Sequence, residues 1–276
     1  MKYRDIISKL MIVSPDEYEY EARVLIEHFT KKRISYFLIN KDEEIVSPTL
    51  EDALAKREKH IPLQYIIGKW EFYRQMYIVN ENCLIPRSDT ELLVEKAIEL
   101  LPSNAHFIDL CTGSGCIAIS TLAERKDTTA IMVDKYPKTL EIATENAILN
   151  GVDKRCAPML FDVLNEENKL SGKEFDAILS NPPYIRPEVI EKLSEEVKHE
   201  PYVALYGGDD GLIFYNKIVK DYSVFLKKEG FILFEIGYDQ AEDLKRIADE
   251  NGFSCEIFKD YGGNDRVALL KKKMDG

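Results

Sequence analysis

Residues 180–185 read Ser-Asn-Pro-Pro-Tyr-Ile. Asn181 carries a side-chain carbonyl that accepts hydrogen bonds, Pro182 and Pro183 have a rigid backbone without N–H groups, and Tyr184 offers an aromatic face. Such a set suits work on a planar nitrogen. An amide or aromatic amine nitrogen is a poor nucleophile because its lone pair is delocalised. Two acceptors facing its N–H groups, Asn181 Oδ1 and the Pro182 carbonyl, would hold it and aim it, and Tyr184 would stack on the planar group. That is catalysis by positioning and electrostatics, with no nucleophile on the protein. Taken alone, the four residues also fit a plain Asn-Pro surface turn.

The elements around this stretch separate the two readings. Residues 174–180 (EFDAILS) form a buried-strand pattern, so Asn181 lies at the carboxyl end of a strand. Upstream, 106–110 (HFIDL) is a strand that runs into Asp109-Leu110-Cys111-Thr112-Gly113-Ser114-Gly115, with a helix directly after it. Glycines there let a ligand approach the backbone, and a helix N-terminus offers free N–H groups. The next strand, 129–134, ends in Asp134, 21 residues beyond Gly113, a spacing suited to an acid that takes ribose hydroxyls. A strand over 158–162 ends in Phe161-Asp162-Val163, where the acid could accept from an adenine amino group and Val163 could wall the ring. Candidate cofactor residues are therefore Asp109, Cys111, Thr112, Gly113, Ser114, Gly115, Asp134, Asp162 and Val163. The pattern suits a nucleoside-containing ligand, and it also fits a plain tight βα turn with an exposed acid. Ala118 stands where the dinucleotide fingerprint has its third glycine, and alanine is tolerated there, so NAD stays open. S-adenosylmethionine, with a carboxylate, an ammonium and a ribose but no pyrophosphate, suits one loop and one acid.

Further strands are expected at 230–236, 253–258 and 266–271, with helices at 89–101, 116–126, 137–150, 211–227 and 239–251. Alternation of this kind gives βαβ units and a mostly parallel sheet. The short Gly262-Gly263 link makes the last two strands antiparallel. The strand at 174–180 should neighbour 106–110 across the topological switch point, where open α/β sheets bind ligands. Residues 1–60 look helical, with Ser14 as N-cap of a capping box and Ser47-Pro48 opening a later helix. The alternating stretch 66–85 suggests a hairpin.

The chain has 276 residues, 45% hydrophobic and 31% charged, with a net charge of -12, which disfavours a general nucleic-acid binder. No apolar run reaches membrane-spanning length, and Met1–Val13 reads as a helix rather than a leader. The five cysteines make no CxxC pair and no metal spacing with the four histidines; they read as reduced thiols of a cytoplasmic protein, with no metal site. The run Glu195–Glu200 reads as a solvated face, and Glu200-Pro201 with Gly207-Gly208 as shaping a loop near the mouth of the site.

DLCTGSG, Asp134 and NPPY together resemble the S-adenosylmethionine-dependent amino-methyltransferases of the seven-stranded Rossmann-like class. More narrowly, the chain resembles the release factor glutamine methyltransferases, nearly end to end. The resemblance includes residues 62–95 (PLQYIIGKWEFYRQMYIVNENCLIPRSDTELLVE), NPPYI, HEPYVALYGGDDGL (199–212), FEIGYDQ (234–240) and KDYGGNDRV (259–267). It implies an α/β fold with a helical substrate-recognition domain (1–65), a hairpin connector (66–87) and a methyltransferase domain (88–276). It further implies methylation of the side-chain amide of the Gly-Gly-Gln glutamine in class 1 peptide chain release factors, without stable nucleic-acid or membrane partners. By that resemblance Cys111–Gly115, Asp134, Val163 and Asn181 contact the cofactor, Asn181, Pro182, Pro183 and Tyr184 contact the substrate glutamine, and Ile85–Glu91 edge the pocket. Two departures stand out: Cys111 replaces a usual glycine, and Ser88 a usual proline. The Ser88 form occurs in the sister family that acts on a glutamine of ribosomal protein L3. An adenine-amino nucleic-acid methyltransferase is the other alternative, since an adenine edge also presents an NH2, and a non-catalytic cofactor-binding scaffold is a third.

Overall fold

The structure is a computed structural model that describes residues 1–40 and 42–273. It divides into two compact units. The first comprises Met1–Lys69 together with Ser194–His199. Its helices are α1 (Tyr3–Val13), α2 (Tyr18–Thr30), α3 (Ile34–Ile39), α4 (Pro48–Arg57) and α5 (Leu63–Ile67). Apolar residues at helical spacing, among them Ile6, Leu10, Ala22, Leu25, Ile26, Leu50 and Leu54, form its core. Ser47 caps α4 as expected, its hydroxyl accepting from Leu50 N at 3.3 Å. Ser14 does not cap α2. It closes α1, donating its N–H to Leu10 O, and the chain turns through Pro15–Glu17 before α2 starts at Tyr18. The α1 end claims Ser14 first, so the later helix begins a turn downstream.

A charge is buried in this unit. Arg57, 1% exposed, donates from Nε and Nη2 to Glu21 at 2.7 and 2.8 Å, and Nη2 also meets Glu196. The solvated face expected for 195–200 is therefore only partly so: Glu196, itself partly exposed, adds a second carboxylate to the buried Arg57–Glu21 pair.

The second unit begins at Trp70, inside a hairpin of β1 (Lys69–Phe72) and β2 (Gln75–Ile78). Tyr73 and Arg74 turn the hairpin with φ of 44° and 66°. Then follow α6 (Glu91–Leu100), β3 (His106–Leu110), α7 (Cys116–Glu124), β4 (Thr129–Asp134), α8 (Pro137–Leu149), β5 (Cys156–Leu160), β6 (Phe175–Ser180), α9 (Pro187–Ile190), α10 (Ile213–Lys217), β7 (Leu226–Glu235), α11 (Ala241–Glu250), β8 (Phe253–Lys259) and β9 (Asp265–Lys272). The sheet order is β5-β4-β3-β6-β7-β9-β8. β3 through β7 pair in parallel, while β9 runs antiparallel to β7 and β8. The expected switch point is there: β3 lies between β4 and β6, with Leu110 opposite Ser180.

Several elements differ from the sequence reading, among them β7, which begins at 226 rather than 230, α6, which covers 91–100 rather than 89–101, and the hairpin, whose strands occupy only 69–78 of the expected 66–85. β5 spans 156–160, not 158–162, because pairing starts at Cys156 against Ala130. Pro158 is tolerated in it because β5 is an edge strand. The helix expected over 211–227 breaks after Lys217 into a wider turn at Ile218–Tyr222 and a tight turn at Ser223–Phe225. The widened turn buries Ile218, Val219 and Tyr222, and the Tyr222 hydroxyl donates to Val163 O at 2.8 Å. Among the described residues no helix is long and apolar enough to cross a membrane.

Candidate active site

At the end of β3 the chain turns through Cys111, whose φ of 61° is left-handed, the conformation a glycine adopts without steric cost. Asp109 is fully buried and fastens the loop: Oδ2 accepts from Thr112 Oγ1 at 2.6 Å and from Ala118 N at 3.3 Å. Burial raises its carboxyl to about 7, against the pull of those two donors. Gly115 opens α7 at φ 82°, and a Cβ there would lie 2.8 Å from Ile119 Cδ1. Asp134, ending β4, accepts from Gly113 N at 3.1 Å and from Tyr136 N at 3.0 Å. Burial shifts its carboxyl upward too. Asn146, buried on α8, donates to Ser114 O at 2.9 Å while exchanging hydrogen bonds with Ile78 N and O, which ties the hairpin to the loop.

Because β5 ends at Leu160, Asp162 begins a turn rather than ending a strand. Its Oδ1 accepts from Leu164 N at 3.0 Å, and Oδ2 accepts from Asn165 Nδ2 at 2.8 Å and Lys135 Nζ at 2.9 Å.

The other end of the site is built across long distances in sequence. Ser180 Oγ donates to Leu110 O at 2.6 Å and locks the two strand ends together. Behind the diproline runs the 205–211 loop: Ile185 N donates to Leu205 O and Gly207 N to Ile185 O, at 2.9 and 3.0 Å. A Cβ on Gly207 would lie 2.5 Å from Tyr184 Cα and 2.8 Å from Pro183 O, so the loop can sit there only as glycine. Gln240 Nε2 donates to Tyr184 O and to Gly211 O, both at 3.2 Å. On the opposite side, Ile85–Glu91 is pinned residue by residue. Glu200 accepts from Ile85 N at 3.0 Å and pairs with Arg87, Asp89 pairs with Arg266 at 3.2 Å, and Glu91 accepts from Tyr73 N at 3.1 Å. Thr90 Oγ1 donates to the buried Glu235 at 2.6 Å and accepts from Asn181 Nδ2 at 3.4 Å.

One cavity of about 250 Å³ joins the two ends. Cys111, Thr112, Gly113, Ser114, Asp134, Asp162, Val163, Asn181 and Pro183 all line it, as do Ile85, Pro86, Arg87 and Thr90. Ser88, Asp89 and Glu91 of the expected edge do not line it, and neither do four of the residues expected to contact cofactor or substrate. Asp109 and Gly115 stand behind the loop, where one holds it by hydrogen bonds and the other packs against Ile119. Pro182 is buried. Tyr184 does not turn a face to the cavity; it packs against the sheet core and donates to Glu235 Oε1 at 3.3 Å. Burial, with Glu235 beside it, pushes its phenol well up. The sequence reading missed Asn146, Gly207 as a backbone contact, Gln240 and Glu235. The only signal for the last two was their place in FEIGYDQ.

A seven-stranded sheet with an antiparallel penultimate strand, a Gly-rich loop after its first strand and NPPY after its fourth define a Rossmann-like methyltransferase fold. Residues 88–200 match the methyltransferase small domain, and residues 4–68 the PrmC N-terminal domain. A release factor glutamine methyltransferase from Aquifex aeolicus is 35% identical over 99% of this chain and 96% of its own length. Another, from Fusobacterium nucleatum, is 40% identical over 88% of this chain and 70% of its own. A solved protein-(glutamine-N5) methyltransferase (release factor-specific) from Alicyclobacillus acidocaldarius is 30% identical, covering 71% of this chain and 99% of that one with a TM-score of 0.44. The chain belongs to the release factor glutamine methyltransferase family.

Proposed function

We propose that this chain transfers a methyl group from S-adenosylmethionine to the side-chain amide nitrogen of the Gly-Gly-Gln glutamine in class 1 peptide chain release factors, leaving S-adenosylhomocysteine. The observation that carries the reading is the shared cavity: Asn181 and Pro183 wall the same space as Cys111–Ser114 and Asp134. Family membership supports the substrate.

The donor set fits this cofactor. The cations among the lining residues are already matched, Arg87 with Glu200 and Lys135 with Asp162, so no lining Arg or Lys stands unpaired to meet a phosphate charge. Asp134 accepts from the backbone N–H groups of Gly113 and Tyr136, and its carboxylate keeps lone-pair capacity for a ribose hydroxyl. Thr112–Ser114 would hold the amino-acid end, and Val163 and Leu164 would flank the adenine. S-adenosylmethionine supplies a methyl made electrophilic by its sulfonium. Asn181 Oδ1 and the Pro182 carbonyl would accept from the two amide N–H groups of glutamine, directing its nitrogen into the cavity. The nucleophile belongs to the substrate. Burial pushes the thiols of Cys111 and Cys116 well above their usual range, so neither offers a thiolate near neutral pH. Residues 1–65 and the 66–87 hairpin would supply the surface that recognises the folded release factor, and translation termination sets this work in the cytoplasm.

The test offers labelled S-adenosylmethionine with wild-type release factor, its Gln→Ala variant in the Gly-Gly-Gln motif, ribosomal protein L3 and duplex DNA. Label on the wild-type factor alone is expected. Label on L3 or DNA instead would keep the cofactor reading and overturn the substrate.

A further inference from the structure

A carboxylate sits behind the diproline and never reaches the cavity. Glu235, at the last position of β7, is 2% exposed. Its Oε2 accepts from Thr90 Oγ1 at 2.6 Å and its Oε1 from the Tyr184 hydroxyl at 3.3 Å. Thr90 is also 2% exposed, and its hydroxyl has a second neighbour, Asn181 Nδ2 at 3.4 Å.

The polarity of this chain of contacts is fixed by donor arithmetic. An ionised carboxylate can only accept. The single Thr90 hydroxyl proton is therefore committed to Glu235, through a short, charge-assisted bond. Toward Asn181 the hydroxyl oxygen can then only accept. The Asn181 amide must meet it with its NH2, which leaves Asn181 Oδ1 to face away from Thr90. An asparagine without such a partner could present either end, because O and N are nearly equivalent in shape.

We propose that Glu235 and Thr90 are positioning residues that set the orientation of the Asn181 amide, so that its carbonyl rather than its NH2 meets the substrate. The inference rests on the reading that Asn181 Oδ1 accepts from the glutamine amide. Glu235 acts on the reaction through Thr90 and holds Tyr184 with its other oxygen. Burial above all, with Asp89, pushes the Glu235 carboxyl upward, while the Thr90 hydroxyl, Arg266 of β9 and the Tyr184 hydroxyl favour its charge; the relay operates in the ionised form. Loss of that charge would free Thr90 to donate toward Asn181 and would invert the amide.

Thr90→Val removes the hydroxyl at nearly constant shape. The proposal expects kcat to fall about ten- to hundredfold, while KM for the release factor and S-adenosylhomocysteine binding change less than about threefold. Thr90→Ser restores the hydroxyl and should recover most of the lost kcat. Glu235→Gln, which supplies one acceptor and one donor, should fall with Thr90→Val. Equal losses in Thr90→Ser and Thr90→Val, or wild-type kcat in Thr90→Val, would overturn the relay. A second readout is independent of the substrate. The Asn181 side-chain amide protons, assigned by their disappearance in an Asn181→Asp spectrum, should shift and exchange faster in Thr90→Val than in wild type. Unchanged amide resonances would overturn the relay even if activity falls. A wild-type chain inactive on release factor would instead overturn the proposed substrate, and the amide spectra would still decide on the relay.

Discussion

The two ends of the cavity are built in opposite ways. The cofactor end is local: a strand, a seven-residue loop and the start of a helix, fastened by an acid from the strand itself. Asp109 and Thr112 are three residues apart, and Asp134 reaches Gly113 from the adjoining strand. The diproline end is assembled from distant chain. Thr90 lies 91 residues from Asn181, Glu235 lies 145 from Thr90, and Gln240 lies 56 from Tyr184. A local device can bind its ligand as soon as its strands pair. A dispersed one exists only when the whole sheet is in place, which suits the step where geometry decides the rate.

If this division holds, damage at the two ends should separate binding from turnover. The largest effect is expected from Asn181→Ala. Turnover should fall about a thousandfold or more, while S-adenosylhomocysteine binding, measured by calorimetry, weakens less than about tenfold. Parallel loss of both would break the comparison. Next comes Gly207→Ala. The added methyl would press on Tyr184 backbone at 2.5 Å, which no side-chain adjustment relieves. We expect about a hundredfold lower kcat and about 2–3 kcal/mol of lost stability, read by single-turnover kinetics and urea unfolding. An unaltered kcat would show that the loop does not set the diproline backbone. Asp134→Ala removes two hydrogen bonds of a carboxylate and its offer to the ribose. The cofactor Kd should rise about ten- to hundredfold, with kcat at saturating cofactor within about fivefold of wild type.

The last effect concerns pH and leaves turnover aside. Asp109 is held at about 7 in the folded chain, chiefly by burial, against about 4 when unfolded. The folded state therefore holds the proton more tightly. Its contribution to stability is fully present below pH ~4 and is lost as pH rises toward about 7, at no more than roughly 1.4 kcal/mol per pH unit. Denaturation of Asp109→Asn should lack this slope, so the wild type should lose ground against the variant between pH 5 and pH 8. A constant difference between them would contradict the assignment.

The same division explains what the sequence made legible. DLCTGSG, Asp134 and NPPY are contiguous or fall at a fixed spacing, and the strands around them are apolar runs bounded by turns. The seven strands, the switch point and the antiparallel close could all be read. The supports of Asn181 could not, because Thr90, Gly207, Glu235 and Gln240 are ordinary residues whose meaning is their contact. Tyr184 shows the limit well. Its aromatic ring suggested a stacking face, yet burial of its hydroxyl beside Glu235 was invisible in one dimension. Asp162 lines the cavity from a turn rather than from a strand end, because the strand before it starts two residues earlier and ends at Leu160. Glu196 and Glu200 looked like solvent-facing charge because nothing local hinted at Arg57 or Arg87.

Glu196 also bears on the order of biosynthesis. Arg57 and Glu21 emerge from the ribosome early, and the apolar core of the first unit is present by Lys69. The second carboxylate lies 139 residues further on. Until it is synthesised, a guanidinium already drawn into the helical core has one carboxylate partner instead of two. The first unit is thus finished only after most of the parallel sheet has been made, and its last increment of stability reports that synthesis has passed the diproline.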